Sequence, residues 1–346
     1  MHVRLILTTL ALSLLAFTGC GPQKPVLHLY TWADYIDPEL LRAFEKTHAC
    51  SVKVDTFDSN ETMYAKMQAG SDTYDLAFPS SYQIVLMKQQ NMVQKLDKSK
   101  LPNVATQFDT AYAAMILNPD MDYSVPYAIT FTGIAYRKDK LPTPPTSWTI
   151  FDNAELKGRM ALLNDHRETI GAALKFLGYS FNSVNPVELE KAKAVVLRWK
   201  KNIAKFDNEQ YKTAIASGEF TVAQGYNGDI AQTMAEDPEK IGFIYPSEGF
   251  SNACDEMVIP KNAANPELAH AFINFLYDPD NAAQNIAYIC TVMPNKSGIA
   301  KLPKEIHENP AIIPPNSVLS KSEVIRELGE NNKLYTATWD TIKATE

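Results

Sequence analysis

The stretch Leu27-His28-Leu29-Tyr30-Thr31-Trp32-Ala33-Asp34-Tyr35 decides how this chain is to be read. A short apolar strand runs into an aromatic and acidic turn, and Asp37-Pro38-Glu39 opens a helix directly after it, with a capping side chain, a proline at the first helical position and an acid in the first turn. Trp32, Asp34 and Tyr35 therefore belong to a strand-to-helix loop. In open α/β sheets, ligands bind on loops of this kind, at the carboxyl ends of strands. Outward from it, residues 38–47 put Leu40, Leu41 and Phe44 on one helical face, and residues 51–57 alternate as a half-buried strand, which completes a β-α-β unit.

Later strands end in the same way. Asp58-Ser59-Asn60-Glu61 starts a second helix with Met63 and Met67 on one face and Gly70 as its stop. Asp75-Leu76-Ala77-Phe78 reads as a buried parallel strand that ends at Pro79-Ser80-Ser81-Tyr82. Residues 130–136 are rich in β-formers and form a candidate crossover between two lobes. The strand over 158–163 ends at Asn164-Asp165-His166-Arg167-Glu168, with a helix expected from Thr169, and residues 185–203 read as a long helix. The strand over 220–224 leads into a loop, Gly225-Tyr226-Asn227-Gly228-Asp229, and Cys254-Asp255-Glu256 precedes an apolar strand at 257–260. The last third reads as mostly helical, over 267–277, 281–289 and from about 321.

At 346 residues, 45% apolar and 21% charged, the chain exceeds one ordinary hydrophobic core, so two domains are expected. A net charge of -7 argues against a nucleic-acid binder, which would want a basic face, and mildly favours cationic small molecules. Arg4, an apolar run over 5–17 and Phe17-Thr18-Gly19-Cys20 read as a signal peptide over 1–20 that ends in a lipobox, with Cys20 as the lipidated residue. The protein is thus expected outside the cytoplasm, held to the membrane through that lipid alone: in the periplasm, or on the surface of a Gram-positive cell. Cys50, Cys254 and Cys290 lack metal or redox spacing and read as small buried residues, with one disulfide left open. No metal and no cofactor are expected.

Collected, the strand-end residues are Trp32, Asp34, Tyr35, Ser80, Tyr82, Asp165, Glu168, Tyr226, Asp229 and Asp255, aromatics and carboxylates nearly without cations. Ring faces cover methylenes and attract ammonium groups, and carboxylates anchor them, so two separated acids with rings between suit a diamine. Each residue also has a plainer role: Asp165 and Glu168 as caps of the following helix, Asp229 as a first-turn acid, the tyrosines and Trp32 as packing. The GxSxG, HExxH, P-loop and GxGxxG signatures are absent, which argues against an enzyme. A glycosidase-like acid pair at Asp165 and Glu168 would sit on one side of a substrate, at a spacing of three residues.

At these residues the chain resembles the polyamine-binding proteins of ABC transporters, the spermidine- and putrescine-binding periplasmic family. The resemblance is carried by Tyr30-Thr31-Trp32-Ala33-Asp34-Tyr35, Ser59-Asn60-Glu61-Thr62-Met63-Tyr64-Ala65-Lys66, Tyr74-Asp75-Leu76 with Pro79-Ser80, Tyr123-Ser124-Val125-Pro126-Tyr127 and Val292-Met293-Pro294-Asn295. It implies an α/β, type II-like two-lobe periplasmic binding protein fold, each lobe a mixed, mostly parallel sheet flanked by helices, joined by a hinge that closes on the ligand. Residues 26–132 with about 254–300 would form the first lobe, and about 133–253 with 301–346 the second. The resemblance further implies a monomer that captures a polyamine and hands it to an ABC permease, with Trp32 and Tyr35 as ring contacts, Ser80 and Tyr82 as hydroxyls, Asp165 and Glu168 as second-lobe acids and Asp255 as an amine anchor. Ala253 and Thr291 stand where relatives carry rings, and Asp229 resembles the extra acid of putrescine-preferring members. Putrescine is therefore expected over spermidine, spanned between Asp255 and Asp229, with binding weakened at acid pH. Another solute, such as a sugar or an amino acid, remains the alternative; an amino acid would need an arginine for its carboxylate, and Arg167 is the candidate near the set.

Overall fold

The computed structural model describes residues 24–70 and 73–345; the lipobox and Cys20 lie outside them. The opening stretch forms β1 (Val26–Trp32), flanked in parallel by β2 (Ser51–Phe57) and β3 (Leu76–Ala77). Helix α1 (Pro38–His48) begins as its sequence demands: Asp37 accepts the Glu39 amide at 2.8 Å and Pro38 holds the first turn. Helix α2 (Asn60–Ala69) starts at Ser59 and stops at Gly70 in the left-handed region, and α3 (Ser81–Gln89) follows β3. β2 does not alternate: Lys53, Val54, Asp55 and Thr56 are all exposed, because it is an edge strand left open on its outer side.

The crossover strand is longer than its β-former run. β4 (Val125–Arg137) covers 13 residues and passes from one packing unit to the other. Its Val125, Tyr127 and Ala128 pack with Leu29, Phe44, Phe78 and Phe272, whereas Ile129, Phe131 and Ile134 pack with Trp148, Leu162, Leu174 and Trp199. Further strands are β5 (Met160–Leu162), β6 (Lys205–Phe206), β7 (Val222–Tyr226), β8 (Ile241–Ile244), β9 (Phe250–Met257) and β10 (Ser322–Val324). β9 makes the same passage as β4: Phe250 and Cys254 lie in the second core and Met257 in the first. The two strands pair antiparallel from Val125↔Met257 to Phe131↔Asn252, so two hydrogen-bonded strands join the units.

All pairs of the first sheet are parallel. In the second, of order β10-β9-β4-β7-β5-β6 with β8 also on β4, β4 runs antiparallel to β7, β8 and β9, because it arrives by direct extension and not through a helical crossover. Helices α4 (Pro102–Gln107), α5 (His166–Phe176), α6 (Pro186–Lys200), α7 (Tyr211–Ser217), α8 (Asn227–Glu236), α9 (Pro266–Leu276) and α10 (Pro279–Ile289) flank the sheets. The C-terminal segment departs from the helical reading at 321: β10 comes first, and the helix Asn332–Ala344 only later. Cys50, Cys254 and Cys290 are free and buried. Among the described residues no helix is long and apolar enough to cross a membrane.

Candidate functional site

A cavity of about 420 Å³ lies between the two packing units, within the roughly 300–1,000 Å³ usual for small-molecule sites. Its lining contains all ten residues singled out from the sequence, contributed from both sides by strands, by the turns after them and by the first turns of helices. Ala253 and Thr291 line it too, so the two positions that lack rings do face this space. Phe57, at the end of β2, adds a ring that the sequence reading missed.

On the first side, β1 delivers Trp32 at its last position, where the indole N–H donates to the Phe78 carbonyl at 3.0 Å and the ring leans on Phe57, centroids 4.4 Å apart. Asp34 turns the chain with φ of 53°, a region aspartate tolerates better than most residues. Tyr35 follows, and its hydroxyl donates to Asp255 Oδ2 at 2.6 Å. Ser80, the N-cap of α3, donates to Asp255 Oδ1 at 2.6 Å. Asn60 braces this corner: its amide group donates to Ser80 Oγ at 3.0 Å and to the Tyr82 hydroxyl at 2.8 Å, and its carbonyl accepts the Ser80 N–H. Asn60 lay inside the Ser59-to-Lys66 match but was not read as a site residue; its signal is its place at the first turn of α2, where it is 4% exposed.

Asp255 lies within β9 and not ahead of a strand, as the sequence had suggested. The sequence pattern starts the strand only at Met257, because acids seldom enter a buried strand; here β9 spans Phe250–Met257 and its acids are accommodated by hydroxyls. Glu256, pointing to the other face, accepts from Ser81, Ser124 and Asn118. Asp255 is 5% exposed with no cation bonded to it, and burial pushes its carboxyl up to about 6 although the Ser80 and Tyr35 hydroxyls pull the other way.

On the second side, α5 starts at His166, three residues earlier than expected, because Asp165 is its N-cap and Oδ1 accepts the Arg167 and Glu168 amides at 2.8 and 3.1 Å. The capping reading is thus correct for one oxygen. The other, Oδ2, faces the Tyr226 hydroxyl at 3.4 Å. Glu168, 4% exposed, accepts from Thr132 at 3.0 Å and from Ser251 at 2.7 Å. Burial first, and then the Asp165 charge, raise its carboxyl to about 8 against those hydroxyls. Residues 225–229 form no loop: Gly225 and Tyr226 complete β7, and α8 begins at Asn227. The glycine at 228 serves close approach, since a Cβ there would sit 2.8 Å from the Ile289 carbonyl oxygen.

Asp229, in the first turn of α8, accepts from the Tyr211 hydroxyl at 2.7 Å and has Lys212 Nζ 3.9 Å from its other oxygen. Lys212 also pairs with Asp34 at 3.0 Å. Both come from α7, in a segment to which the sequence reading assigned nothing; among the described lining residues Lys212 is the one cation, in a wall otherwise of acids, rings and neutral side chains. Asp229 thus has an ammonium neighbour, whereas no cation is bonded to Asp255 on one side or to Asp165 and Glu168 on the other; two exposed acids, Asp58 and Glu209, also line the cavity. Arg167 takes no part. Its guanidinium donates to the Arg326 carbonyl at 2.9 Å and Asn182 at 2.8 Å, lies over the Tyr335 ring, and is absent from the lining.

A family model described as bacterial extracellular solute-binding protein matches residues 39–315. The chain is 33% identical to a putrescine/cadaverine-binding protein of Pseudomonas aeruginosa, over 94% of this chain and 97% of that one. It is also 33% identical to the spermidine/putrescine-binding periplasmic protein of Escherichia coli, over 99% of this chain and 98% of that one. Among solved structures, a putative spermidine/putrescine ABC transporter protein from Listeria monocytogenes superposes with a TM-score of 0.87 at 35% identity, covering 93% of this chain and 99% of that one. The TpPotD lipoprotein of Treponema pallidum gives 0.83 at 34% identity, covering 92% and 99%.

Proposed function

The chain belongs to the bacterial extracellular solute-binding proteins, binding proteins of transporters and not enzymes, and from that premise we propose that it captures polyamines, putrescine ahead of spermidine, and delivers them to an ABC permease. The observation that carries the reading is the pairing of two desolvated acidic stations, Asp255 and Glu168 with Asp165, neither bonded to a cation, across a cavity ringed by Trp32, Tyr35, Phe57, Tyr82 and Tyr226. Carboxylates kept from water cost free energy until an ammonium joins them, and two stations call for a dication with an apolar middle. Tyr35, Ser80, Thr132 and Ser251 fix the carboxylates by donating to them, so little ordering is left to the moment of binding.

The preference for putrescine is supported by Ala253 and Thr291, which offer no ring to a longer chain. We take residues 26–132 with 254–300 and residues 133–253 with 301–346 as two lobes that close about β4 and β9, and Cys20 as the lipid anchor; the lipobox supports the anchor, as does the likeness to the Treponema pallidum lipoprotein. An amino-acid ligand is disfavoured because the guanidinium of Arg167 is engaged away from the cavity and the lining cation, Lys212, is already paired with Asp34 and Asp229. Calorimetry of the purified protein with putrescine, spermidine, lysine and a hexose tests the reading. Heat with the two polyamines alone supports it, and a folded protein that responds only to lysine or the hexose refutes it.

A further inference from the structure

Besides the exposed Asp58 and Glu209, three acidic stations line the cavity, and they are not equivalent. Asp255 and the Asp165–Glu168 pair are met by hydroxyl groups and backbone amides only. The third station, Asp34 with Asp229, is bridged by Lys212: Nζ stands 3.0 Å from Asp34 Oδ2 and 3.9 Å from Asp229 Oδ1. The bridge spans the cleft, since Asp34 belongs to the turn after β1, whereas Lys212 and Asp229 belong to α7 and α8 beside the second sheet. The neighbouring Tyr211 occupies the remaining Asp229 oxygen at 2.7 Å, so this acid has both a hydrogen-bond donor and a counter-charge before any ligand arrives.

From this geometry we infer that Lys212 is a specificity-determining residue: its tethered ammonium holds the acidic station that a third amine would need, so the cleft accepts a diamine and rejects a longer triamine. The inference rests on the polyamine reading above. An ammonium fixed to the wall competes at high effective concentration with one brought by a solute. A triamine must either displace Lys212 from Asp34 and Asp229 or place a third positive charge beside it, and both routes are unfavourable in a partly desolvated cleft. The Asp34 side chain is 60% exposed, so the ion pair itself contributes little to folding stability; its consequence is for what can enter. Lysine suits the role as a compact charge on a flexible stem.

The test is calorimetry of the purified protein and two variants with putrescine and spermidine at one salt concentration. Wild type should bind putrescine at least about tenfold more tightly than spermidine; Lys212→Met should raise spermidine affinity on the order of tenfold with little change for putrescine, and Lys212→Arg should keep the wild-type ratio. The inference is overturned if Lys212→Met leaves the ratio unchanged or loses both ligands together while folded. It is overturned without any variant if wild type binds spermidine as tightly as putrescine. A wild type that binds neither removes the polyamine reading itself, a different outcome from either of these.

Discussion

Asp255 and Asp229 make an instructive pair. Each sits in the wall of the same cavity and each accepts a tyrosine hydroxyl, from Tyr35 at 2.6 Å and from Tyr211 at 2.7 Å. Burial raises both carboxyls above their ordinary range. Their company differs: Asp255 has a second hydroxyl from Ser80 and no cation, whereas Asp229, whose side chain is 29% exposed, has Lys212 nearby. One acid is left with its charge uncompensated and the other is supplied with a partner by the fold. On the proposed function, what marks a carboxylate of this wall as a ligand anchor is less its own burial than whether the chain already answers it.

The largest expected effect breaks this pair apart by mutation. Asp255→Asn should weaken putrescine binding roughly a hundredfold or more, as removal of one member of a buried charge pair does, while Asp229→Asn should change it only a few-fold. Calorimetry measures both, and equal losses would contradict the distinction. The next effect is on pH. A bound diammonium stabilises the ionised acids, so binding lowers carboxyl values that stand at about 6 for Asp255 and about 8 for Glu168 in the free protein. Affinity should be full above about pH 8 and fall as pH drops through 8 and then 6, with protons released on binding near neutrality. Titration in buffers of different ionisation heat would detect that release.

Stability without ligand should run the other way. Between about pH 4 and 6 the folded protein holds a proton on Asp255 that the unfolded chain has lost, so this contribution is full below pH 4 and disappears as pH rises through 6, on the order of 3 kcal/mol. Glu168 extends the same trend toward pH 8. The ligand-free melting temperature should fall from pH 5 to pH 8, and the rise caused by putrescine should grow across that range. Asp255→Asn should flatten the first part of the profile; an unaltered profile would show that Asp255 is not the group responsible. The smallest effect concerns the brace: Asn60→Ala, which frees Ser80 and Tyr82, should weaken putrescine by about tenfold or less without altering the pH dependence.

Much of the first unit was legible because local chemistry and fold agree there. Asp37-Pro38-Glu39 and Ser59 cap helices as their sequences demand, and β1 ends at the aromatic turn. Nine of the ten candidate residues reach one cavity because strand ends and the helix starts after them point to one place in such folds; Asp255 reaches it from within β9. What could not be read depends on contacts distant in sequence. Lys212 meets Asp34 across 178 positions, and nothing near either residue announces the other. Asp255 and Glu256 disguised a buried strand, since the hydroxyls that make acids tolerable there come from Tyr35, Ser80, Ser81 and Ser124. The start of α5 was placed late because Asp165 serves helix and cavity with different oxygens, where one role had seemed to exclude the other.

The most direct measurement is a crystal structure of the protein grown with putrescine. The account predicts one ammonium at Asp255, the other at Asp165 and Glu168, the methylenes against the rings, and Lys212 still on Asp34 and Asp229. A putrescine ammonium seated on Asp229, with Lys212 displaced and Asp255 left without a cation, would contradict it.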